Sequence, residues 1–138
     1  MLVLDGKVVV VRHRSGTSRY HLLPGGGVGY RETLAEAVIR EVREETGFDA
    51  CVDELLFVSD TIDPHGRRHV INITFAARIT GGSITSTPTD DNVEAVELVE
   101  PADLRELDLR PPMAEAVIAA LEGRTTMGYL GSLFTEGR

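Results

Sequence analysis

The chain has 138 residues, of which 42% are apolar and 26% are charged. This length suits a single domain over residues 1–138, and this composition excludes a disordered or collagen-like chain. The net charge of −8, from 22 acidic and 14 basic residues, argues against extended nucleic acid as a partner, but leaves open whether the acidic residues serve solubility or bind a metal.

The first predicted strand covers residues 7–14, a β-branched run (KVVVVRHR) that we expect to be buried on both faces. A short second strand is predicted over residues 20–23. It ends at the loop 24–27 (PGGG), whose composition is incompatible with regular structure.

The first predicted helix covers residues 33–46. Thr33 and Glu36 have the spacing of a capping box, in which each residue satisfies a backbone N–H of the other. Gly47 is predicted to end the helix, because glycine adopts the left-handed conformation that follows many helices.

Three further strands are predicted, over residues 52–62, 69–79 and 93–99. A turn-rich segment, 63–66, joins the first two, and a polar loop, 83–92, precedes the third. Because strands and helices interleave, the pattern predicts an α/β or α+β fold with a mixed sheet.

The C-terminal part of the chain predicts one or two helical turns over residues 101–107. Pro111 is then expected to open a helix that runs through Leu121, with Gly123 closing it. We interpret the last fifteen residues as a docked tail or a contact with a partner.

The helix over residues 33–46 places acidic side chains where apolar ones are expected. On a helical wheel, Leu34, Val38 and Val42 define an apolar stripe. Glu41 and Glu45 fall inside it, each within about 20° of Leu34. Polar residues at core positions are expected mainly at functional sites.

The same acidic residues also repel one another and the helix dipole. Glu41 is spaced i,i+3 from Glu44 and i,i+4 from Glu45, and both of these lie in the last turn, which disfavours anions. A divalent cation would reverse these costs, and an all-oxygen ligand set favours Mg²⁺ or Mn²⁺. The alternative is a solvated acidic helix end paired with Arg40 and Arg43.

The spacing of these residues resembles the Nudix hydrolase signature, G-x5-E-x7-R-E-U-x-E-E-x-G-U, in which U is apolar. The matching residues are Gly26, Glu32, Arg40, Glu41, Val42, Glu44, Glu45, Gly47 and Phe48. The order of predicted elements also looks like that of the family over most of the chain. The resemblance implies an α/β/α sandwich with a central mixed β-sheet.

The resemblance further implies Mg²⁺-dependent hydrolysis of the pyrophosphate bond in a nucleoside diphosphate linked to another moiety, with Mn²⁺ as a possible substitute. By position, the resemblance implies that Glu41, Glu44 and Glu45 are the metal ligands, and in some members the residue that matches Glu41 also acts as general base. Glu32 and Arg40 would hold loop and helix together. Gly26 and Gly27 would let the backbone approach phosphate.

Some members of the family use one more carboxylate from beyond the signature. The candidates in this chain are Asp90, Asp91, Glu94 and Glu97, of which we favour Glu94 as a fourth metal ligand. The alternative for Glu94 is a solvated acid on an edge strand.

Two residues outside the fixed positions are candidate substrate contacts. Arg31 would contact a phosphate, or would be an ordinary surface arginine. His21, or its neighbour Tyr20, would stack on or bond to the substrate, or would pack beside the strand end.

The substrate remains open between two classes. Pro64 lies sixteen residues after Phe48, which resembles a marker of ADP-ribose hydrolases, whereas the compact length resembles small (deoxy)nucleoside triphosphate hydrolases. The alternative from another class is a non-catalytic nucleotide-binding module, which is expected to have lost a signature glutamate.

The sequence also indicates where the protein is located and how it assembles. No apolar run approaches the roughly 20 residues that span a bilayer, and the N-terminal residues lack the features of a signal peptide. The single cysteine, Cys51, cannot form an intramolecular disulfide, which favours a reducing cytoplasm. The tail from Gly123 is a possible homodimer contact.

Overall fold

The computed structural model describes residues 1–85, 87–124 and 128–134. Within these residues, no helix has the length and apolar character needed to cross a bilayer. The elements in chain order are β1 (Val3–Leu4), β2 (Lys7–Ser15), β3 (Ser18–Leu22), α1 (Leu34–Thr46), β4 (Phe48–Ile62), β5 (His69–Gly82), β6 (Val93–Val99), a 3-10 helix (Pro101–Glu106), α2 (Ala114–Leu121) and β7 (Gly128–Ser132).

The first sheet is built around β2, which pairs antiparallel with β1, β3 and β6. The four valines of β2 are fully buried, as predicted for a strand covered on both faces. Val8 and Val10 pack in a core cluster with α2 and the 3-10 helix, whereas Val9 packs in a second cluster with Val42 of α1. The strand is therefore sandwiched between two helical layers.

The second sheet has the strand order β5-β4-β7. β4 and β5 form a long antiparallel hairpin in which Phe48 pairs with Gly82 and Ile62 pairs with His69, so both strands extend beyond their predicted limits. β7 runs parallel to β4 and was not predicted as a strand. Glycine weakens strand propensity in the tail, and pairing with the edge of β4 overrides it.

Helix α1 confirms the prediction in detail. Thr33 is its N-cap, both hydrogen bonds of the capping box are formed with Glu36, and Gly47 ends the helix with a left-handed φ of 85°. Helix α2, however, begins at Ala114, and the prediction that it opens at Pro111 was wrong. Pro112 disfavours helical geometry in the residue before it, so Pro111 cannot begin the helix.

The predicted α/β fold class is confirmed by this mixture of helices and sheets. The strands are divided between two sheets, however, and only the second one is mixed. The loop 83–92 is held against the last turn of α1, because Thr85 N–H donates to the Thr46 carbonyl at 2.8 Å and Thr89 N–H to that of Glu44 at 3.3 Å. This contact carries Asp90 toward the acidic end of α1.

Candidate active site

Helix α1 buries its acidic residues to different extents. Glu45 is only 3% exposed, close to the buried Val42, as its place in the apolar stripe predicts. The Glu41 side chain is 18% exposed and that of Glu44 is 42% exposed. Leu34 is exposed as well, so the buried stripe covers only the second half of the helix.

The Glu45 carboxylate is fixed by two contacts. Gly25 N–H donates to its Oε1 at 2.7 Å, and its Oε2 lies 3.3 Å from Nε2 of the buried His13. Burial raises the pKa of Glu45 to about 7, and the neighbouring charges of Glu41, Asp90 and Glu44 raise it further against the opposing hydrogen bond from Gly25. The charges of three other carboxylates therefore act on Glu45.

Arg40 ties the glycine-rich loop to the helix. Its guanidinium donates to Glu32 through Nε at 2.7 Å and to the Gly27 carbonyl at 3.0 Å. It also bridges Glu41 at 2.8 Å and Glu44 at 3.2 Å. The hydrogen bonds from Arg40, and then from the backbone of Gly29, lower the pKa of Glu32 to about 2, so this carboxylate stays ionised.

Gly26 is packed directly against Glu41. A Cβ atom added at Gly26 would lie 2.4 Å from the carboxyl carbon of Glu41, so any other side chain would displace the carboxylate. A Cβ added at the neighbouring Gly27 would meet nothing within 4 Å. The loop backbone therefore approaches Glu41 more closely than a side chain at Gly26 would permit.

Within residues 1–85, 87–124 and 128–134, no three His, Cys, Asp or Glu side chains are arranged as a preformed metal cluster. Arg40 is the counter-charge of Glu41 and Glu44, while Glu45 is bonded to Gly25 and His13. The donors nevertheless suit a hard divalent cation, because all are carboxylate oxygens whose mutual repulsion a cation would relieve.

The structure does not bring Glu94 to the glutamates of α1. Its carboxylate pairs instead with Arg12 at 3.2 Å, Arg14 at 3.6 Å and Arg19 at 2.8 Å, and the hydrogen bond from Arg19 lowers its pKa. This arginine cluster argues against Glu94 as a metal ligand. Asp90 is the carboxylate from the loop whose charge acts on Glu45.

The two predicted substrate contacts have different surroundings. The His21 ring is bonded to Glu97 at 2.9 Å, and the His21 backbone pairs with the segment 108–110. Arg31 is exposed at a turn with a left-handed φ of 65°. Tyr20, the alternative to His21, stacks on His13 with ring centroids 5.6 Å apart.

A cavity of about 560 Å³ opens between the two sheets beside His13. We call it the inter-sheet cleft; its lining residues are His13, Tyr20, Leu22, Thr61, Asp63, Arg67, Arg68, Asn72, Arg110, Pro111, Leu133 and Phe134. A larger cavity of about 780 Å³ lies between the 3-10 helix, α2 and β7, and none of the predicted site residues lines it. We therefore associate the smaller cavity with the site.

His13 is the contact of Glu45 that sequence reasoning missed. It follows Val9 and Val11 at alternate positions of β2, and thus shares their buried face. A histidine on such a face was the available signal. Its partner could not be read from the sequence, because His13 and Glu45 are 32 positions apart.

Comparisons with known proteins identify the family of this chain. Residues 1–120 match the family model of the NUDIX domain. An ADP-ribose pyrophosphatase of Methanocaldococcus jannaschii is 38% identical over 92 residues, which cover 66% of this chain and 53% of that protein. The chain thus aligns with about half the length of this relative.

Solved structures show the same fold. A NUDIX hydrolase from Nitrosomonas europaea superposes with a TM-score of 0.78 at 19% identity, covering 90% of this chain and 86% of that one. An ADP-ribose pyrophosphatase from Streptococcus suis gives a TM-score of 0.72 at 20% identity, covering 93% and 92%. With the signature on α1 and its glycine loop in place, the chain belongs to the NUDIX domain family.

Proposed function

We propose that this chain is a divalent-cation-dependent pyrophosphohydrolase that acts on ADP-ribose or a related nucleoside diphosphate sugar. The observation that carries the proposal is Glu45, a carboxylate 3% exposed and crowded by Glu41, Glu44 and Asp90. Arg40 offsets the charges of Glu41 and Glu44, and a bound cation would also offset that of the buried Glu45. The relative named as an ADP-ribose pyrophosphatase supports the substrate class.

The carboxylates of Glu41, Glu44 and Glu45 would hold the cation, which we propose to be Mg²⁺ with Mn²⁺ as a substitute. When bound, it lowers the pKa of water and neutralises charge on the phosphoryl oxygens. We propose Asp90 in place of Glu94 as the additional carboxylate, because Glu94 is held by arginines while the charge of Asp90 acts on Glu45.

The chain's own residues supply position and charge. Gly25 and His13 fix the two oxygens of Glu45, and Arg40 orients Glu41 toward the glycine loop. The Glu41 side chain is more exposed than Glu45, and we propose Glu41 as the group that orients or deprotonates the attacking water. The backbone of Gly26 and Gly27 would lie beside the pyrophosphate.

A substrate panel with separated products tests this function. With Mg²⁺, the purified protein is expected to release AMP and ribose 5-phosphate from ADP-ribose. Release of pyrophosphate from a nucleoside triphosphate would move the substrate to the other class. Inertness toward the whole panel with both Mg²⁺ and Mn²⁺ would favour a non-catalytic nucleotide-binding module, although each signature glutamate is present.

The tail of the chain and its single cysteine bear on assembly and location. We propose that residues 1–138 form one domain and that this domain forms a homodimer. The exposed side chains of Tyr129 and Leu130 in β7 support the dimer. Residues 125–127 and 135–138 of the predicted contact lie outside the residues that the structure describes. Light scattering that gives a monomer mass would remove the dimer. The single free Cys51 supports a cytoplasmic location.

A further inference from the structure

The inter-sheet cleft begins at the active site. His13 contributes both to its wall and to the contact with Glu45 at 3.3 Å. Its volume of about 560 Å³ falls in the range of roughly 300–1,000 Å³ that is usual for small-molecule sites. A substrate cleaved beside Glu45 would therefore extend one of its two ends into this cleft.

One wall of the cleft is a row of flat side chains. His13 and Tyr20 are cross-strand partners on β2 and β3, with ring planes 26° apart. The Arg110 guanidinium carbon lies 4.5 Å from the Tyr20 ring centroid. Arg110 also donates to Asp108 through Nε at 3.1 Å and Nη2 at 2.7 Å, which fixes the plane of the guanidinium. A planar guanidinium that is fixed with one face on a tyrosine ring can stack a second aromatic ring on its other face.

The second sheet contributes an amide to the lining. Asn72 of β5 donates from Nδ2 to Thr61 Oγ1 at 2.9 Å, and both residues line the cleft. Among the hydrogen bonds of the described residues, this is the one that the Asn72 side chain makes. The amide oxygen and the second N–H therefore remain, which is the acceptor–donor pair that recognises N6 and N7 of adenine.

The remaining lining fits a flat heterocycle joined to phosphate. Leu22, Pro111 and Phe134 contribute apolar surface to the lining. The charged residues of the lining are three arginines, Arg67, Arg68 and Arg110, and one acid, Asp63. Arg67 is paired with Asp63 and Arg110 with Asp108, so Arg68 is the arginine of the lining whose charge is not offset by an ion pair among the described residues. Apolar and planar surface suits a base more than a ribose, and the charge of Arg68 suits the phosphate attached to the nucleoside.

We propose that the inter-sheet cleft binds the adenine base of the substrate, with the base stacked on Arg110 and its edge read by Asn72. This inference rests on the proposed function for the identity of the nucleotide. It assigns the specificity for the nucleoside half to β3, β5 and the segment 108–110, and leaves the sugar half on the other side of the glutamates.

Product binding tests this assignment without any hydrolysis. Isothermal titration calorimetry at constant Mg²⁺ would compare AMP, inosine 5′-monophosphate and ribose 5-phosphate on the wild-type chain. AMP is expected to bind about tenfold or more tighter than ribose 5-phosphate, and about tenfold tighter than the inosine nucleotide, which lacks the amino group read by Asn72.

Three variants divide the contributions. Arg110→Ala and Arg110→Lys should both lower AMP affinity about tenfold, because both remove the planar guanidinium on which the base stacks. Lysine keeps the positive charge, so the second variant separates stacking from charge. Asn72→Ala should remove the preference for AMP over the inosine nucleotide. All three should leave ribose 5-phosphate affinity unchanged, and Arg105→Ala, an exposed arginine paired with Glu115 outside the cleft, is the matched control. Circular dichroism would establish that each variant is folded.

Several results would overturn the inference. They are equal wild-type affinity for AMP and ribose 5-phosphate, full AMP affinity in Arg110→Lys, or a parallel loss of both ligands in every variant. The wild-type comparison needs no variant and so stands even if Asn72→Ala does not fold. If the chain binds AMP in this way but hydrolyses nothing, the inference stands and the proposed function is wrong. If the chain hydrolyses ADP-ribose but its AMP affinity does not depend on Arg110 and Asn72, the proposed function stands and the inference is wrong.

Discussion

The contact between Gly26 and Glu41 links the loop to the reactive end of α1. The glycine backbone stands where a Cβ would lie 2.4 Å from the carboxyl carbon of Glu41. Real Cβ atoms do not approach other atoms this closely, so the carboxylate would have to move. Since Arg40 also holds Glu41 at 2.8 Å, that movement would disturb the pairing of Arg40 with Glu44 as well.

Gly26→Ala should therefore lower the hydrolysis rate about 10²-fold or more while leaving the fold intact, because a displacement near 1 Å at the reacting centre has costs of this size. Steady-state rates with ADP-ribose, together with the thermal unfolding midpoint, would check it. Gly27→Ala, where the added methyl meets nothing within 4 Å, is the matched variant and should lose much less. Equal losses in the two variants would remove the packing explanation.

At the scale of elements, the capping box lies at the start of α1, whereas the glutamates lie in the second half of the helix. Thr33 N–H donates to Glu36 at 2.7 Å, and Glu36 N–H donates to the Thr33 hydroxyl at 3.2 Å. The cap therefore contributes to the stability of the helix, whereas the chemistry lies in its second half.

Thr33→Ala is expected to lower the free energy of unfolding by about 1 kcal/mol, the usual cost of losing an N-cap side chain. Urea denaturation would measure the change. Thr33→Ser keeps the hydroxyl and should stay close to the wild type, and both variants should keep the wild-type kcat. An alanine variant as stable as the serine variant would show that the cap contributes nothing.

The strand β7 is fastened to β4 by Asp60. The Asp60 carboxylate accepts hydrogen bonds from the Tyr129 hydroxyl and from His69, the latter at 2.6 Å, and its backbone carbonyl accepts from Leu133 N–H at 2.7 Å. The hydrogen bonds from Tyr129 and then His69 lower the pKa of Asp60. Because Leu133 also lines the inter-sheet cleft, this fastening sets one side of the cleft.

Because the pKa of Asp60 is lower in the folded state than in the unfolded state, its charge stabilises the fold at pH values above about 4, the pKa of aspartate in an unfolded chain. That stability is lost as the pH falls through the lowered pKa. Asp60→Asn should therefore unfold more easily than the wild type at pH 7, and the difference should shrink below about pH 4. Chemical denaturation of both proteins at several pH values would show this trend. A difference that stays constant down to pH 3 would mean that the Asp60 charge is not involved.

Sequence reasoning predicted some of these elements and not others, for physical reasons. Helix α1 was predictable because its cap, its stripe and its terminating glycine are local signals. β7 was not, since it depends on pairing with β4, some seventy positions earlier in the chain. The start of α2 was misplaced because Pro111 is a good first helical residue in isolation, but not in front of Pro112.

At the scale of the whole molecule, the charge of −8 is unevenly distributed. The charges of Glu41, Glu44 and Asp90 act on Glu45 near the end of α1. The adjoining cleft is lined by three arginines, of which Arg67 is paired with Asp63 and Arg110 with Asp108. The signature residues lie in one short segment, so the resemblance to the family could be recognised in the sequence itself. The cleft, the contact of His13 with Glu45 and the diversion of Glu94 to arginines were not, because each depends on which strands become neighbours.

The central claim is that the glutamates of α1 hold a divalent cation that the hydrolysis requires. The rate of AMP release from ADP-ribose should fall to background in excess chelator and return when Mg²⁺ is restored. Glu45→Gln should be folded, slower by roughly 10²-fold or more, and not rescued by added Mg²⁺. A wild-type protein that keeps its rate in chelator, or a Glu45→Gln variant with a near-wild-type rate, would contradict the account.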